Sequence, residues 1–335
     1  MRPLVNIIIP SVELSNELIF CLNKLNNQTY KKFFVTIVLD KVNKKKLKNK
    51  NFRYKTKIII SDKRNMSYKR NLAAKKFKSD ILAFLDSDAY PKYDWLKNAV
   101  KILYGKKEKI IGGPSIPFPN QKLPEMLCYY AKRSYFVTGF MNFRKYLAEE
   151  RYCDWLESCN LFILRELYLK YGGMNEKKYL GEDKEFQERF KKKNPKLKVF
   201  YSSKIFVYHK ERGILKFLLQ RMAFGTDLFN ITKFNNKISG FQPILPLLIV
   251  LLSLFVLFSK MFLNLKLIIF LVIFTSSQIL ILNDISRYQK KIKLKILTLI
   301  LINFANIFYV IGNLFEILFL KKILNRKLYL RSRKV

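Results

Sequence analysis

The stretch Ile81-Leu82-Ala83-Phe84-Leu85-Asp86-Ser87-Asp88-Ala89-Tyr90-Pro91 constrains this chain more than any other. Five apolar residues in a row, closed by turn-forming residues, read as a strand buried on both faces, the pattern of a central parallel strand. Two carboxylates then emerge at its C-terminal end, the edge where open α/β sheets place their ligands. Asp side chains one residue apart lean toward one point when the backbone turns between them, forming an oxygen-rich site for Mg²⁺ or Mn²⁺ and a diphosphate. Asp-X-Asp is also a common solvated turn, so the rest of the chain has to decide between the two.

Around this stretch the pattern predicts strands at 5–9, 33–39 and 58–60 and helices at 13–25 and 68–77. Strands alternating with helices at this spacing imply βαβ units and a mostly parallel sheet. Pro10 and Ser11 stop the first strand, and Asp40 closes the second. Asp40 is thereby expected on the same edge as Asp86 and Asp88, where an acid accepts hydrogen bonds from a nucleotide base or ribose, although a strand-ending turn needs no such role. Further on, a strand at 110–112 runs into Gly112-Gly113-Pro114, and Ser158-Cys159-Asn160 heads another apolar strand. Gly181-Glu182-Asp183 opens a helical stretch at 184–190, where the helix dipole favours acids even without chemistry. Strands at 197–201 and 205–208 follow, the second delivering His209, the sole histidine.

The chain carries 64 Lys+Arg against 24 Asp+Glu, a formal charge of +40. A soluble nucleic-acid binder could carry that charge, but not the long apolar segments after residue 240, so nucleic acid is not expected as a partner. An anionic membrane surface and phosphate-bearing substrates are. Residues 213–228 have the pattern of an amphipathic interfacial helix, and 243–258, 261–282 and 296–320 are candidate spans. A full third span would leave the basic tail outside, against the positive-inside rule, so two or three spans stay open. Cys21, Cys128, Cys153 and Cys159 lack paired spacing, which argues for reduced thiols rather than zinc. The start of the chain has too short an apolar core for a signal peptide, so its N-terminal part is expected on the cytoplasmic side.

Pro10, Gln28-Thr29-Tyr30, Lys69-Arg70-Asn71, Phe84-Leu85-Asp86-Ser87-Asp88, Gly112-Gly113-Pro114, Ser158-Cys159-Asn160, Gly172-Gly173, Glu182-Asp183 and Val207-Tyr208-His209 follow one another in this order. The series resembles the family 2 glycosyltransferases of the GT-A fold. The resemblance implies an α/β, Rossmann-like nucleotide-diphospho-sugar transferase domain with a mostly parallel central sheet over 1–210. An interfacial segment at 211–240, transmembrane helices within 241–322 and a basic tail at 323–335 would complete the chain.

It further implies a divalent metal, Mg or Mn, on Asp86, Asp88 and His209, and a nucleotide-diphosphate sugar held by Pro10, Asp40, Arg70, Asn71, Asp86 and Gly113. Asp183 would be the general base, with Glu182 its neighbour or substitute. Trp155, Asn160, Gln220 and Arg221 would lie on the acceptor, membrane-proximal side. Two departures stand out. Asn65 occupies a position where the family often has Gly, and as Asn it is expected to keep a left-handed turn. Lys41 follows Asp40 where many relatives carry a second acid.

The implied activity is inverting transfer of a sugar to a lipid-linked saccharide or polysaccharide acceptor in cell-envelope, O-antigen or exopolysaccharide assembly, by a multi-pass protein of the cell (inner) membrane. Transfer to polyprenyl phosphate is the alternative, and a non-catalytic basic membrane scaffold is the reading from a different class.

Overall fold

The structure is a computed structural model that describes residues 2–41, 52–226, 245–259 and 262–318. The chain forms two compact units, one of Met1–Phe118 with Phe143–Lys210, the other of Pro119–Asn142 with Glu211–Val335. Residues 119–142 thus group with the C-terminal part of the chain rather than with the stretches that flank them.

In chain order the first unit supplies β1 (Val5–Pro10), α1 (Asn16–Leu25), β2 (Phe33–Leu39), β3 (Lys55–Ile60), α2 (Met66–Lys76), β4 (Ile81–Leu85), β5 (Ala89–Pro91), α3 (Trp95–Val100), β6 (Ile110–Gly112) and β7 (Ser115–Pro117). The second unit then contributes α4 (Leu123–Arg133) and α5 (Tyr135–Thr138). The first resumes with β8 (Arg151–Cys153), β9 (Asn160–Leu164), α6 (Arg165–Lys170), α7 (Glu182–Lys193), β10 (Val199–Tyr201) and β11 (Val207–His209). The second closes with α8 (Ile214–Gly225), α9 (Leu245–Phe258), α10 (Leu263–Ser286) and α11 (Ile292–Ile317).

Eight strands form the main sheet in the order β3-β2-β1-β4-β9-β6-β10-β8. β3, β2, β1 and β4 are mutually parallel, β9 runs against both β4 and β6, and β10 is parallel to β6. β1, β2 and β4 are buried along their whole length, as their predominantly apolar runs require of central parallel strands, and the two polar residues among them meet where Thr36 Oγ1 donates to Asn6 Oδ1 at 2.7 Å. Strand β3 begins three residues before its expected start, because Lys55 and Lys57 belong to it. Lysines are characteristic of sheet edges; here Lys55 is exposed along with Ile58 and Ile60, and Lys57 covers the Phe34 and Phe77 rings at 4.4 and 3.8 Å. Helix α1 packs Leu18, Cys21, Leu22 and Leu25 inward at helical spacing and is capped by Ser15, whose hydroxyl accepts from Leu18 N–H at 3.2 Å. A second sheet, β5-β11-β7, stands at the edge carrying the carboxylates and pairs His209 with Ala89.

In the second unit, Leu127 and Ala131 of α4, Phe217 and Leu218 of α8, Ile281 and Ile285 of α10 and Leu301, Ile302 and Ala305 of α11 share one apolar core. Asp284, near the end of α10, accepts from Ser134 Oγ at 2.7 Å and from Tyr135 N–H at 3.0 Å, satisfying the first turn of α5. Lys132 of α4 pairs with Glu211 at 2.6 Å. Among the described residues, two helices are long and apolar enough to cross a membrane: α10, of 24 residues, and α11, of 26. Helix α9, the first expected span, has 14 residues. That gives a rise of about 21 Å against a hydrocarbon core of about 30 Å. Residues 227–244 and the tail at 323–335 lie outside the described residues.

Candidate active site

Because β1, β2 and β4 are parallel, Pro10, Asp40 and Asp86 reach the same edge of the sheet. Antiparallel β9 starts there too, with Asn160 paired to Leu85. The β5–β11 ladder then carries His209 to the Asp-Ser-Asp turn, and Lys210 N–H donates to the Asp88 carbonyl at 3.0 Å. His209 Nε2 lies 3.4 Å from Asp88 Oδ1 and 3.9 Å from Asp86 Oδ2. The three donor atoms all lie within 4.8 Å of one another. Two carboxylates and an imidazole are a donor set that suits Mn²⁺ or Mg²⁺. His209 Nδ1 faces the Lys210 carbonyl at 2.9 Å, so it carries the proton and Nε2 presents a lone pair, the tautomer a metal ligand needs. The residues therefore fit the metal.

Arg70 is 1% exposed and sits behind this group. Its Nη2 pairs with Asp86 Oδ1 at 3.0 Å and its Nη1 with Glu182 Oε1 at 3.3 Å. One guanidinium thus holds an oxygen of Asp86 away from His209 and ties the metal-side carboxylate to the acid that opens α7. Asp183, the next residue, is partly buried, and its carboxylate accepts from Ser158 N–H at 3.1 Å and from Lys184 N–H at 2.8 Å. Burial, followed by the charge of Glu182, pushes the Asp183 carboxyl up to about 7. A carboxylate poised there is suited to proton transfer near neutrality.

The remaining expected site residues fall into distinct environments. Asp40 meets the fully buried Lys69 at 2.5 Å and Arg64 at 3.5 Å, and Lys69 also donates to the Ser11 carbonyl. Asn71 is engaged within the protein. Its Nδ2 donates to the Met174 carbonyl at 2.8 Å and to Glu176 at 2.9 Å, while its Oδ1 accepts from Tyr168 Oη at 2.6 Å and Met174 N–H at 3.0 Å. A Cβ on Gly173 would come 2.3 Å from that Oδ1, and Gly173 has φ +68°, so this close approach requires glycine.

Gly113 makes room for protein backbone, since a Cβ there would lie 2.2 Å from the Ile205 carbonyl oxygen. Asn160 donates to the Pro114 and Ile205 carbonyls at 3.2 and 2.6 Å and accepts from Trp95 Nε1 at 2.8 Å. These bonds fix the start of β9 at the edge. Trp155 is half-buried, with the Arg144 guanidinium 3.9 Å over its ring. Gln220 and Arg221 lie on α8, in the second unit.

The expected left-handed turn at Asn65 is corrected. Its φ is −71°, and it caps α2 by accepting from Tyr68 N–H at 2.9 Å while its Nδ2 donates to the Glu176 and Lys178 carbonyls. Asn is kept there for its capping side chain, not for backbone freedom.

Sequence reasoning missed Gln187. Its carboxamide accepts from Leu156 N–H at 2.9 Å and donates to the Leu156 carbonyl at 2.7 Å, clamping the Trp155–Ser158 segment onto α7. A polar residue on the buried face of α7, beside Phe186 and Phe190, was the available signal. It also missed Glu157, which pairs with Lys145 at 2.7 Å and Arg144 at 3.7 Å next to Ser158.

Residues 6–150 match the model of glycosyl transferase family 2. This part of the chain belongs to that family. Glycosyltransferase AglE of Haloferax volcanii is 31% identical over 126 residues, a region covering 35% of this chain and 41% of that protein. The chain therefore matches less than half the length of that curated relative. The mannosyltransferase PcManGT from Pyrobaculum calidifontis, solved in complex with GDP-Man and Mn²⁺, has the same fold at a TM-score of 0.60, with 14% identity over 94% of this chain and 88% of that one. The α/β domain of the first unit is accordingly a GT-A fold.

Proposed function

We propose that this chain is a membrane-associated glycosyltransferase. It moves a sugar from a nucleotide-diphosphate donor to a hydroxyl of a lipid-linked or polysaccharide acceptor, with inversion at the anomeric carbon. The observation carrying this reading is the meeting, at one sheet edge, of Asp86, Asp88 and His209 with Asp183 through Arg70 and Glu182. The family match over 6–150 supports the transferase class, and the complex of PcManGT with GDP-Man and Mn²⁺ supports a nucleotide sugar with a metal.

Asp86, Asp88 and His209 would hold Mg²⁺ or Mn²⁺, which supplies positive charge against the departing diphosphate. Pro10 and Asp40 bound the donor side of the edge, with Arg70, Asn71 and Gly113 fixing its shape from behind. Asp183 takes the proton of the acceptor hydroxyl as its oxygen bonds to the anomeric carbon. The hydroxyl becomes strongly acidic only during that bond formation, so a base with a pKa near 7 suffices. Trp155, three residues before the Ser158 whose N–H orients Asp183, offers a ring on the acceptor side. The catalytic domain comprises about residues 1–210 and faces the cytoplasm. The second unit meets the bilayer, because α10 leaves Leu263, Leu267, Ile268 and Leu271 exposed and the chain carries a +40 charge for anionic lipid.

The test is a screen of nucleotide sugars, GDP-mannose and UDP-N-acetylglucosamine among them, for Mn²⁺-dependent turnover in membranes containing the protein. Parent turnover is expected to disappear in Asp88→Ala and Asp183→Ala. Turnover unchanged in both variants would exclude the assigned roles and leave a scaffold.

A further inference from the structure

Where α8 crosses α11, the two backbones touch. A Cβ on Gly225 would lie 2.1 Å from the Tyr309 carbonyl oxygen, and one on Gly312 would lie 2.1 Å from that of Met222. So close a crossing brings polar side chains of both helices into the interior of the second unit. Thr298 and Asn313 are fully buried, and Tyr309 and Glu316 nearly so, all on one face of α11 at helical spacing. The Arg221 guanidinium lies 4.7 Å over the Tyr309 ring, and its Nη1 donates to the Val137 carbonyl at 2.9 Å.

Two of these groups are left short of partners. Both polar atoms of the Asn313 carboxamide are buried without a hydrogen bond, and so is Arg221 Nε. Among the described residues no carboxylate lies within ion-pair distance of Arg221. A buried amide with nothing to bind and an arginine without a counter-ion both destabilise a fold, and within an apolar helix an ionisable or polar group is a functional candidate.

We propose that the crossing of α8 and α11 binds a phosphate headgroup, through Arg221 and Asn313. The fork of a guanidinium and the N–H groups of an amide both donate, and phosphate oxygens accept. Arg221 lies against Tyr309, and Asn313 follows one turn later on the same face, so both donors border the same stretch of α11. Glu316, buried three residues further on, closes that end with a carboxylate and sets the limit of the site. The anion comes either from a lipid-linked acceptor or from free phosphate.

The choice of lipid rests on the membrane-acceptor reading above. Binding is therefore measured on the full chain in detergent without donor or metal, so that failed transfer and failed headgroup binding are separate results. The probes are polyprenyl phosphate, the uncharged polyprenol and inorganic phosphate, with native mass spectrometry and thermal shift as readouts. Polyprenyl phosphate is expected to bind at least tenfold more tightly than polyprenol. Competition by millimolar inorganic phosphate would support the same chemistry with free phosphate as its source.

Asn313→Leu, which removes the unpartnered amide at similar volume, is expected to keep or raise Tm while weakening polyprenyl phosphate binding by about tenfold. Arg221→Gln is expected to weaken it by a similar factor and serves as the second variant. Equal binding of polyprenol and polyprenyl phosphate would overturn the proposal. So would an Asn313→Leu protein that loses stability yet binds as the parent does, or an Arg221→Gln protein with unchanged binding.

Discussion

The sheet edge of the first unit and the α8–α11 crossing of the second both bury polar groups, in opposite states. At the edge four such side chains have protein partners. Asn160 joins Trp95 to two carbonyls, Asn71 secures the loop at 173–176, Gln187 clamps Leu156, and Arg70 lies between Asp86 and Glu182. At the crossing, Asn313 and Arg221 Nε have none. A saturated network fixes geometry before substrate arrives, as bond-making steps need. An unsaturated one leaves buried groups whose desolvation no partner offsets. The same residue type, asparagine, is thus a positioning device in one place and a candidate ligand group in the other.

The comparison breaks most readily at the chemistry. Asp183→Asn retains the size of the side chain but no base, and turnover of the nucleotide sugar is expected to fall on the order of 10³-fold. If it keeps a tenth of the parent rate, the edge is not organised around Asp183. The next largest effect is on stability. Asn160→Ala strands Trp95 Nε1–H and two carbonyls, an expected loss of about 3 kcal/mol in chemical denaturation, against no loss for Asn313→Leu. Equal losses at both sites would erase the distinction.

Gly312→Ala forces a methyl group against the Met222 carbonyl, with an expected net cost of roughly 2 kcal/mol despite the better helix propensity of alanine. A neutral effect would mean that α8 and α11 separate easily.

The smallest effect is the most diagnostic of the base. With Asp183 raised to about 7, kcat/KM is expected to rise with pH below that value and level off above it. Glu182→Gln removes a like charge and should move the inflection down by roughly one unit. A profile that stays in place would take Glu182 out of the electrostatics. The sign for stability is opposite to that for activity. A carboxyl whose folded pKa exceeds its unfolded value stabilises the fold below the unfolded pKa, and that contribution fades as pH rises toward 7. Asp183→Asn should therefore weaken the fall in stability between pH 4 and 7.

Much of the first unit was legible before folding. The mainly apolar runs at 33–39 and 81–85 coincide with strands β2 and β4, because a strand buried on both faces favours near-continuous hydrophobicity. The edge strand β3 was half hidden, since the lysines that protect an edge look like loop residues. The carboxylates stood at strand ends, where a parallel sheet gathers them.

Residues whose importance lies in a partner far along the chain were not legible. Gln187 looks like any helix residue until Leu156 is placed beside it, and nothing in Lys69-Arg70-Asn71 itself says that Arg70 spans Asp86 and Glu182. Asn65 invited a backbone argument, and the structure answered with a side-chain cap.

By itself the sequence determined the α/β class, the edge at which Asp40 and Asp86 emerge, and the apolar character of the C-terminal helices. Periodicity and strand ends are local properties, written in neighbouring residues. Only the tertiary structure decided that Gln187 clamps Leu156, that Arg70 couples Asp86 to Glu182, and that Asn313 is buried with nothing to bind. Those outcomes depend on which distant groups are left in contact once water has been excluded, and hydrogen-bond saturation is a property of that enclosure.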